Sequence, residues 1–461
     1  MKSTTLVLFV MCLVLTSVVS PQTGETVGVP NPMNVCPKGL EVGPLAGSAV
    51  ISNGTVTLGV DDLGFALHSG VGLRYEPTGA EVLWIGCLCE GWGAADAVTG
   101  LQGWASIHNG GVFNVLPVSF ASTPTTAVSI TTVGAILNVT HDYHPTPLTP
   151  FLYEIDVTIE NISGAPVDLR YTRDQDWDVV PTPFLEFVTI QGTGATPSVL
   201  YADNNGFQTP GPLLGRSSLG AVGDFVDFGP RDHGSLFDLG FGLVPPGASV
   251  KFTTYYGAAG TEADALAALA AVGATVYSLG QPSGAGGPDL GVPNTFIYAY
   301  RPIIPVSIDI KFCSNPNGFN CKSHGVLPVT IFGRADLDVT DIDIASLKLC
   351  LASDTSSCTS TPPVTWSIAD RGDPTTDIGA AQCAIDPITG LEQHFLNPDG
   401  FLDLDVGFVS QKVAALIGCA ALDKGEPSPT LVLVGELTNG QPIQSYPVHD
   451  VGIDQLLIQN K

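Results

Sequence analysis

Charge is what this sequence has least of. Only 13% of its 461 residues are Asp, Glu, Lys or Arg, against a usual ~25%. Bases are scarcer still, 17 against 44 acids, for a net charge of −27. Such a chain lacks the clustered Lys and Arg that phosphates and anionic headgroups require, which excludes nucleic acid and anionic membrane surfaces as partners. Long apolar runs are also missing. After the N-terminus no stretch reaches the ~20 residues of a spanning helix; Ala265 to Val272 is closed off by Asp264 and Gly273. The sequence contains no Gly-rich phosphate loop, Ser-centred nucleophile elbow or His-Glu metalloprotease helix. With no strong catalytic motif, the reading leans towards a protein that is not an enzyme.

What is present begins with glycine and proline. The 53 Gly and 36 Pro rule out long helices and point to many short strands joined by tight turns. The N-terminus carries Lys2, an apolar run Leu6 to Leu15, and small residues to Ser20 before Pro21. This pattern predicts a secretory signal peptide over 1–20, hence a secreted, extracellular chain without a membrane span. Export turns the nine cysteines outside that segment into expected disulfides. Six of them lie after residue 300, and the short-range set Cys313 with Cys321, Cys350 with Cys358 and Cys383 with Cys419 is favoured. Cys36, Cys87 and Cys89 precede residue 100. For Cys87 and Cys89 a structural disulfide is preferred to a soft-metal site, because zinc needs about four ligands and none stands at a suitable spacing. Sequons at Asn53, Asn138 and Asn161 mark glycosylation sites if the host glycosylates.

Along the chain, Phe151 to Glu160 alternates Phe, Tyr, Ile, Val and Ile with mostly acidic residues, so it reads as a strand covering a core on one face. Ser249 to Tyr256, Val167 to Tyr171, Pro305 to Lys311 and Gly325 to Phe332 read as strands too. Leu431 to Thr438 and Gln441 to Val448 flank Asn439-Gly440, a strong hairpin signal. One segment differs: Thr261 as N-cap, Glu262 and Asp264 in the first turn, an Ala265, Leu266, Leu269, Val272 stripe and Gly273 as stop predict a short amphipathic helix. The fold class is therefore mainly β, two β-sandwich-like domains with one short amphipathic helix. The expected limits are 21–280 for the first domain, 281–302 for a Gly/Pro-rich linker and 303–461 for a disulfide-containing second domain.

Four constellations could carry chemistry. In extended chain Asp174, Asp176 and Asp178 share one face, with Arg173, Gln175 and Trp177 on the other. Carboxylates so arranged repel unless neutralised, first by a base such as Arg170 and next by a cation; paired acids beside Trp177 could also serve glycoside hydrolysis, the least favoured of the three. His141 and His144 bracket Asp142 and Tyr143, but a strand sends them to opposite faces, which favours structural histidines over a metal pair. Asn397, Asp399, Asp403 and Asp405 place oxygens around Gly400 as a Ca²⁺ loop does, though Phe395 and Val406 occupy its two end positions, and an ordinary acidic turn is preferred. Arg371-Gly372-Asp373 matches a tripeptide read by receptors in exposed loops, with chance the preferred explanation.

Several segments resemble known proteins. Cys87-Leu88-Cys89-Glu90-Gly91-Trp92-Gly93, Val139 to Pro145, Arg173 to Val179 and Tyr255 to Ala259 resemble a family of exported bacterial proteins, many of which carry a C-terminal sorting anchor. Val306 to Lys311, Gly325 to Val329 and Asn397 to Leu404 resemble a second β domain of exported proteins, one with an acidic loop. The resemblance implies export and the domain limits; no activity comes with it. The function expected is a secreted, non-enzymatic cell-surface or extracellular-matrix binding protein, with an extracellular glycan or protein as partner and Ca²⁺ as the candidate cofactor. The alternative is a secreted carbohydrate-active enzyme drawing on Glu154, Asp156, Asp174, Asp176 and Asp178.

Overall fold

Alternating strands make up most of the chain, and their pairing builds stacked antiparallel sheets. The computed structural model describes residues 47–371, 399–445 and 454–460, apart from 313, 315, 336 and 439. The signal segment 1–20, Cys36, Cys313, Cys383, Asn397 and the Gly372-Asp373 portion of the tripeptide lie outside the described residues.

Residues 49–301 form three sheets. A nine-stranded antiparallel sheet runs, in spatial order, Phe225–Arg231, Glu186–Gln191, Val276–Pro282, Thr295–Arg301, Ser249–Ala259, Leu152–Asn161, Leu137–Pro145, Ala127–Val133 and Val115–Ser122. A five-stranded sheet runs Val199–Asp203, Gly234–Val244, Val167–Asp176, Glu90–Asp96 and Gln102–Ser106. A small meander, Ala49–Ser52 to Ala80–Glu81, completes the set. One apolar core spans all three, drawing on Val157 and Ile159, Tyr171, Trp92, Phe237, Phe252 and Tyr298. This is the sandwich the alternation predicts: in Leu152–Asn161, Tyr153, Ile155, Val157 and Ile159 are buried while Glu154, Asp156, Thr158 and Glu160 are half-buried on the other face.

After residue 303 a second core, with Ile310, Val329, Leu349, Phe408 and Leu433, lies among a five-stranded, a four-stranded and a two-stranded sheet. Leu431–Leu437 and Pro442–Ser445 pair antiparallel across the expected turn, where Gly440 takes φ 82°. Among the described residues no strand before 302 pairs with one after 303. The linker assignment is corrected at its end: Thr295–Arg301 is a strand inside the nine-stranded sheet, buried through Tyr300. Its run Phe296 to Tyr300 has no alternation because the core covers one face and the helix the other.

That helix is Glu262–Val272. Thr261 Oγ1 accepts the Asp264 N–H at 3.1 Å, and Gly273 ends it at φ 67°. Its buried face is Ala265, Ala268, Leu269 and Val272; Leu266, expected in the stripe, is exposed. A second short helix, Ser410–Leu416, was not anticipated from the sequence. No helix among the described residues is long and apolar enough to cross a membrane.

Cys350 is bonded to Cys358. Cys321 is bonded to Cys419, which corrects the expected pairings of Cys313 with Cys321 and of Cys383 with Cys419: the fold brings Cys321 beside Cys419 in the second core, a proximity that chain separation does not reveal. Cys87 is bonded to Cys89.

Candidate functional site

The Val167–Asp176 strand is half-buried at alternate positions up to Arg170 and then wholly buried from Tyr171 to Asp176. Its inner face meets the core. Its outer face is roofed by the 204–217 segment, since a Cβ on Gly93 of the neighbouring strand would sit 2.1 Å from the Pro210 carbonyl oxygen. All three acids of the Asp174, Asp176, Asp178 ladder are therefore buried, exposed by 0%, 2% and 0%.

The structure separates them. Asp174 accepts a hydrogen bond from the Asn109 side-chain amide, which also donates to the Gly206 carbonyl. Arg170, the expected partner, instead pairs at 2.8 Å with Asp168, two residues away on the same face of the strand, while Asp174 lies four residues further along. Asp176 and Asp178 meet Asp232, and one carboxylate oxygen from each lies within 4.8 Å of the others. Asp232 is exposed and sits in the turn before Gly234–Val244. Glu186 opens the adjoining strand; its Oε1 accepts the His233 N–H at 2.9 Å. His233, itself buried, accepts from the Asn204 amide at Nδ1 (3.2 Å) and donates from Nε2 to the Glu186 carbonyl (3.3 Å), so it carries its proton on Nε2. Burial holds its pKa down at about 4, so it brings no positive charge to the acids.

Electrostatics single this cluster out. Asp176 Oδ1, both oxygens of Asp178 and Glu186 Oε2 are buried and accept no hydrogen bond. Burial, then repulsion from Asp232, raises Asp178 to about 7. Burial, offset in part by the His233 N–H and reinforced by Asp178 and Asp232, raises Glu186 to about 9. Burial and the charges of Asp178 and Asp232 push Asp176 well above the ordinary carboxylate range. Unpartnered buried carboxylates are costly, and such groups concentrate at functional sites.

Close backbone approach shapes the walls. A Cβ on Gly234, opposite Asp176 in register, would sit 1.9 Å from the Gln175 carbonyl oxygen. Gly234→Ala is therefore expected to force the strands apart at Asp176 and cost about 1–3 kcal/mol, read as a lower urea midpoint at unchanged slope. On the other side a Cβ on Gly86 would meet Asp178 Oδ2 and Phe184 Cε1, each at 2.7 Å. Phe184, 46% exposed with φ 69°, stands at the rim.

The remaining sequence candidates lie elsewhere. Glu154 and Asp156 are on the outer face of the nine-stranded sheet, with His144. Lys251 reaches Asp156 at 2.8 Å and Arg301 reaches Glu154 at 3.6 Å, so bases already answer these acids. His141 is buried in the core against Trp92 while His144 is half-buried on the opposite face. In the acidic turn, Asp399 caps the Phe401 N–H, Asp403 accepts from the Gly333 N–H at 2.9 Å, and Asp405 takes Arg371 Nε at 3.0 Å and Thr330 Oγ1 at 2.6 Å. The described members of the predicted Ca²⁺ loop are thus held by separate protein donors, and the basic residue of the tripeptide is engaged by Asp405 rather than presented to a receptor. Of the sequons, Asn53 and Asn138 are half-buried. Asn161 is corrected as a glycosylation site: it is 0% exposed, and its amide donates to the Ala165 and Val244 carbonyls at 2.8 and 2.7 Å.

Sequence reasoning missed Asp232, Glu186 and Gly86. Arg231-Asp232-His233-Gly234 carried the one usable local signal, an acid and a histidine before a glycine; nothing in linear spacing ties it to Asp178.

No protein-family model matches the chain, and no curated protein matches it. Among solved structures it is similar to an Escherichia coli K12 protein described as a "putative aldose 1-epimerase", at 10% identity over 55% of this chain and 87% of that chain, with a TM-score of 0.24. A superposition that slight carries no argument about fold or activity.

Proposed function

We propose that the protein is exported and acts as a non-enzymatic extracellular binding protein whose first sandwich holds a divalent cation between Asp176, Asp178 and Asp232, with Glu186 beside them. The carrying observation is that Asp176 and Asp178, whose buried oxygens include ones that accept no hydrogen bond, each bring a carboxylate oxygen within 4.8 Å of one from the exposed Asp232. Oxygens bound to one Ca²⁺ at 2.3–2.6 Å stand at most about 5 Å apart, so the cluster fits a single ion of that size. All-carboxylate donors suit a hard cation, and Ca²⁺ is the candidate; it would neutralise the cluster and join the Asp178 segment to the turn that carries Asp232. The glycosidase reading fares worse, because Asp176 and Asp178 at 2% and 0% exposure leave no opening for a sugar ring. Asp232, exposed, is the member of the cluster that faces solvent. Export, the resemblance to anchored bacterial proteins and a glycan or protein partner belong to the same proposal.

The test is thermal melting of chelator-treated protein against Ca²⁺. At a hundredfold excess over Kd the ion is expected to add about 2.7 kcal/mol, a rise on the order of 5 °C for a sandwich of about 250 residues melting as a unit. Asp178→Asn is expected to abolish that rise. No shift with Ca²⁺, Mg²⁺ or Mn²⁺ would sink the proposal.

Proton competition gives a second expected result. The raised groups are still partly protonated near neutrality and must release protons on binding, so affinity is expected to climb as pH rises through about 7. The sign for the cation-free protein is opposite. The folded state binds more protons than the unfolded one between the ordinary carboxylate pKa and the raised values, so stability falls with rising pH there, by roughly 1.4 kcal/mol per pH unit per proton. Calorimetric titrations at several pH values, read for affinity and proton release, check this.

A further inference from the structure

We propose that the Cys87–Cys89 disulfide is a thiol–disulfide exchange site that accepts the thiols of another polypeptide, an activity separate from the cation cluster. One residue, Leu88, separates the two cysteines. A bridge closing so short a loop removes little freedom from the unfolded chain, and structural stabilisation is a poor account of it. The two cysteines lie in the bend that precedes the Glu90–Asp96 strand, with Cα atoms 5.0 Å apart.

The two sulfurs differ in access. Cys89 is 1% exposed, and its carbonyl accepts the Asp176 N–H at 2.8 Å, which fixes it to the sandwich. Cys87 is half-buried and follows the exposed Gly86, so an incoming thiolate reaches Cys87 first. His108 grips the intervening residue from both sides: its Nδ1 accepts the Leu88 N–H at 3.1 Å, and its own N–H donates to the Leu88 carbonyl at 3.2 Å. The same Nδ1, its lone pair engaged by the Leu88 N–H, lies 3.9 Å from Cys87 Sγ.

The exchange balances without any further reagent. A partner thiolate attacks Cys87 Sγ, a new sulfur–sulfur bond forms, and Cys89 leaves with the electron pair and takes a proton from solvent. A second thiolate of the same partner then attacks the partner's sulfur in that mixed disulfide and releases Cys87, which is protonated in turn. Two partner thiols become one disulfide, and the Cys87–Cys89 disulfide becomes two thiols.

The test uses the folded, full chain and reduced glutathione, with acid quench and peptide mass spectrometry. The Cys87–Cys89 bridge is expected to open at a glutathione concentration at least tenfold below that needed for Cys321–Cys419 and Cys350–Cys358. In Cys89→Ser, oxidised glutathione is expected to leave its adduct on Cys87, releasing one reduced glutathione. A peptide with two thiols is expected to gain one disulfide per molecule of the unsubstituted protein and none with Cys87→Ser/Cys89→Ser. Opening of Cys87–Cys89 together with or after the other two bridges, or a peptide left fully reduced, overturns the proposal; the first of these needs no variant, so a misfolded substitution does not shield it.

Discussion

Arg173→Leu, with Glu90 left in place, is expected to destabilise the fold by about 3–5 kcal/mol. The two side chains are 2% and 0% exposed and form an ion pair between the sheets. Hydrogen bonds surround that pair, and the guanidinium lies over the Tyr256 ring, 5.3 Å from its centroid. Tyr256 donates to Glu90 Oε1 at 2.9 Å, and the Ala66 N–H donates to Oε2. Arg173 donates to the Tyr143 hydroxyl at 3.2 Å, to the Gly64 carbonyl at 3.4 Å and to the Tyr256 hydroxyl at 3.4 Å. Removing the guanidinium leaves an acid buried with two donors and no counter-charge, so the loss measures the stranded Glu90 more than the worth of the pair. The matched variant Arg173→Met/Glu90→Gln has no stranded charge and is expected to lose distinctly less than Arg173→Leu alone. Urea unfolding at unchanged slope reads both. A loss below about 1 kcal/mol for Arg173→Leu would contradict the assignment of this pair as a desolvated one.

Removal of the Cys321–Cys419 bridge, by Ser at both positions, is expected to cost about 4–5 kcal/mol, and removal of Cys350–Cys358 about 2–3 kcal/mol. The difference follows from loop length, 98 residues against 8, because the longer loop withdraws more freedom from the unfolded chain. Both cysteines of the first bridge also pack against the second core, so the loss is expected there: hydrogen exchange in Leu431–Leu437 and Asp403–Val409 should quicken while Leu152–Asn161 keeps its protection. Equal losses for the two bridges would show that native-state strain outweighs loop entropy.

The local signals in the sequence carried the elements. Alternation in 152–160 arises because a strand with one wet face must place every second side chain in the core, and that rule needs no partner to be known. The helix was equally legible, since its cap, its acidic first turn and its terminal glycine all act within a few residues. Leu266 was misplaced because the stripe is set by which sheet the helix meets. The strand Thr295–Arg301 was hidden behind a Gly/Pro-rich stretch, and its continuous apolar run fits either a buried strand or a loop anchored in a core.

Composition, periodicity and turn chemistry by themselves determined a mainly β chain, base-poor, with a capped helix and a suspicious run of acids at 174–178. Which of those acids stay together was decided only by the tertiary structure. Asp174 is drawn to Asn109, and Asp176 and Asp178 meet Asp232, because strand order and the turn before Gly234 bring distant segments within a few ångströms. The partner of Cys321 was fixed in the same way. Periodicity records the environment of a residue along one element; proximity between elements depends on how the chain closes on itself, and no local pattern encodes that.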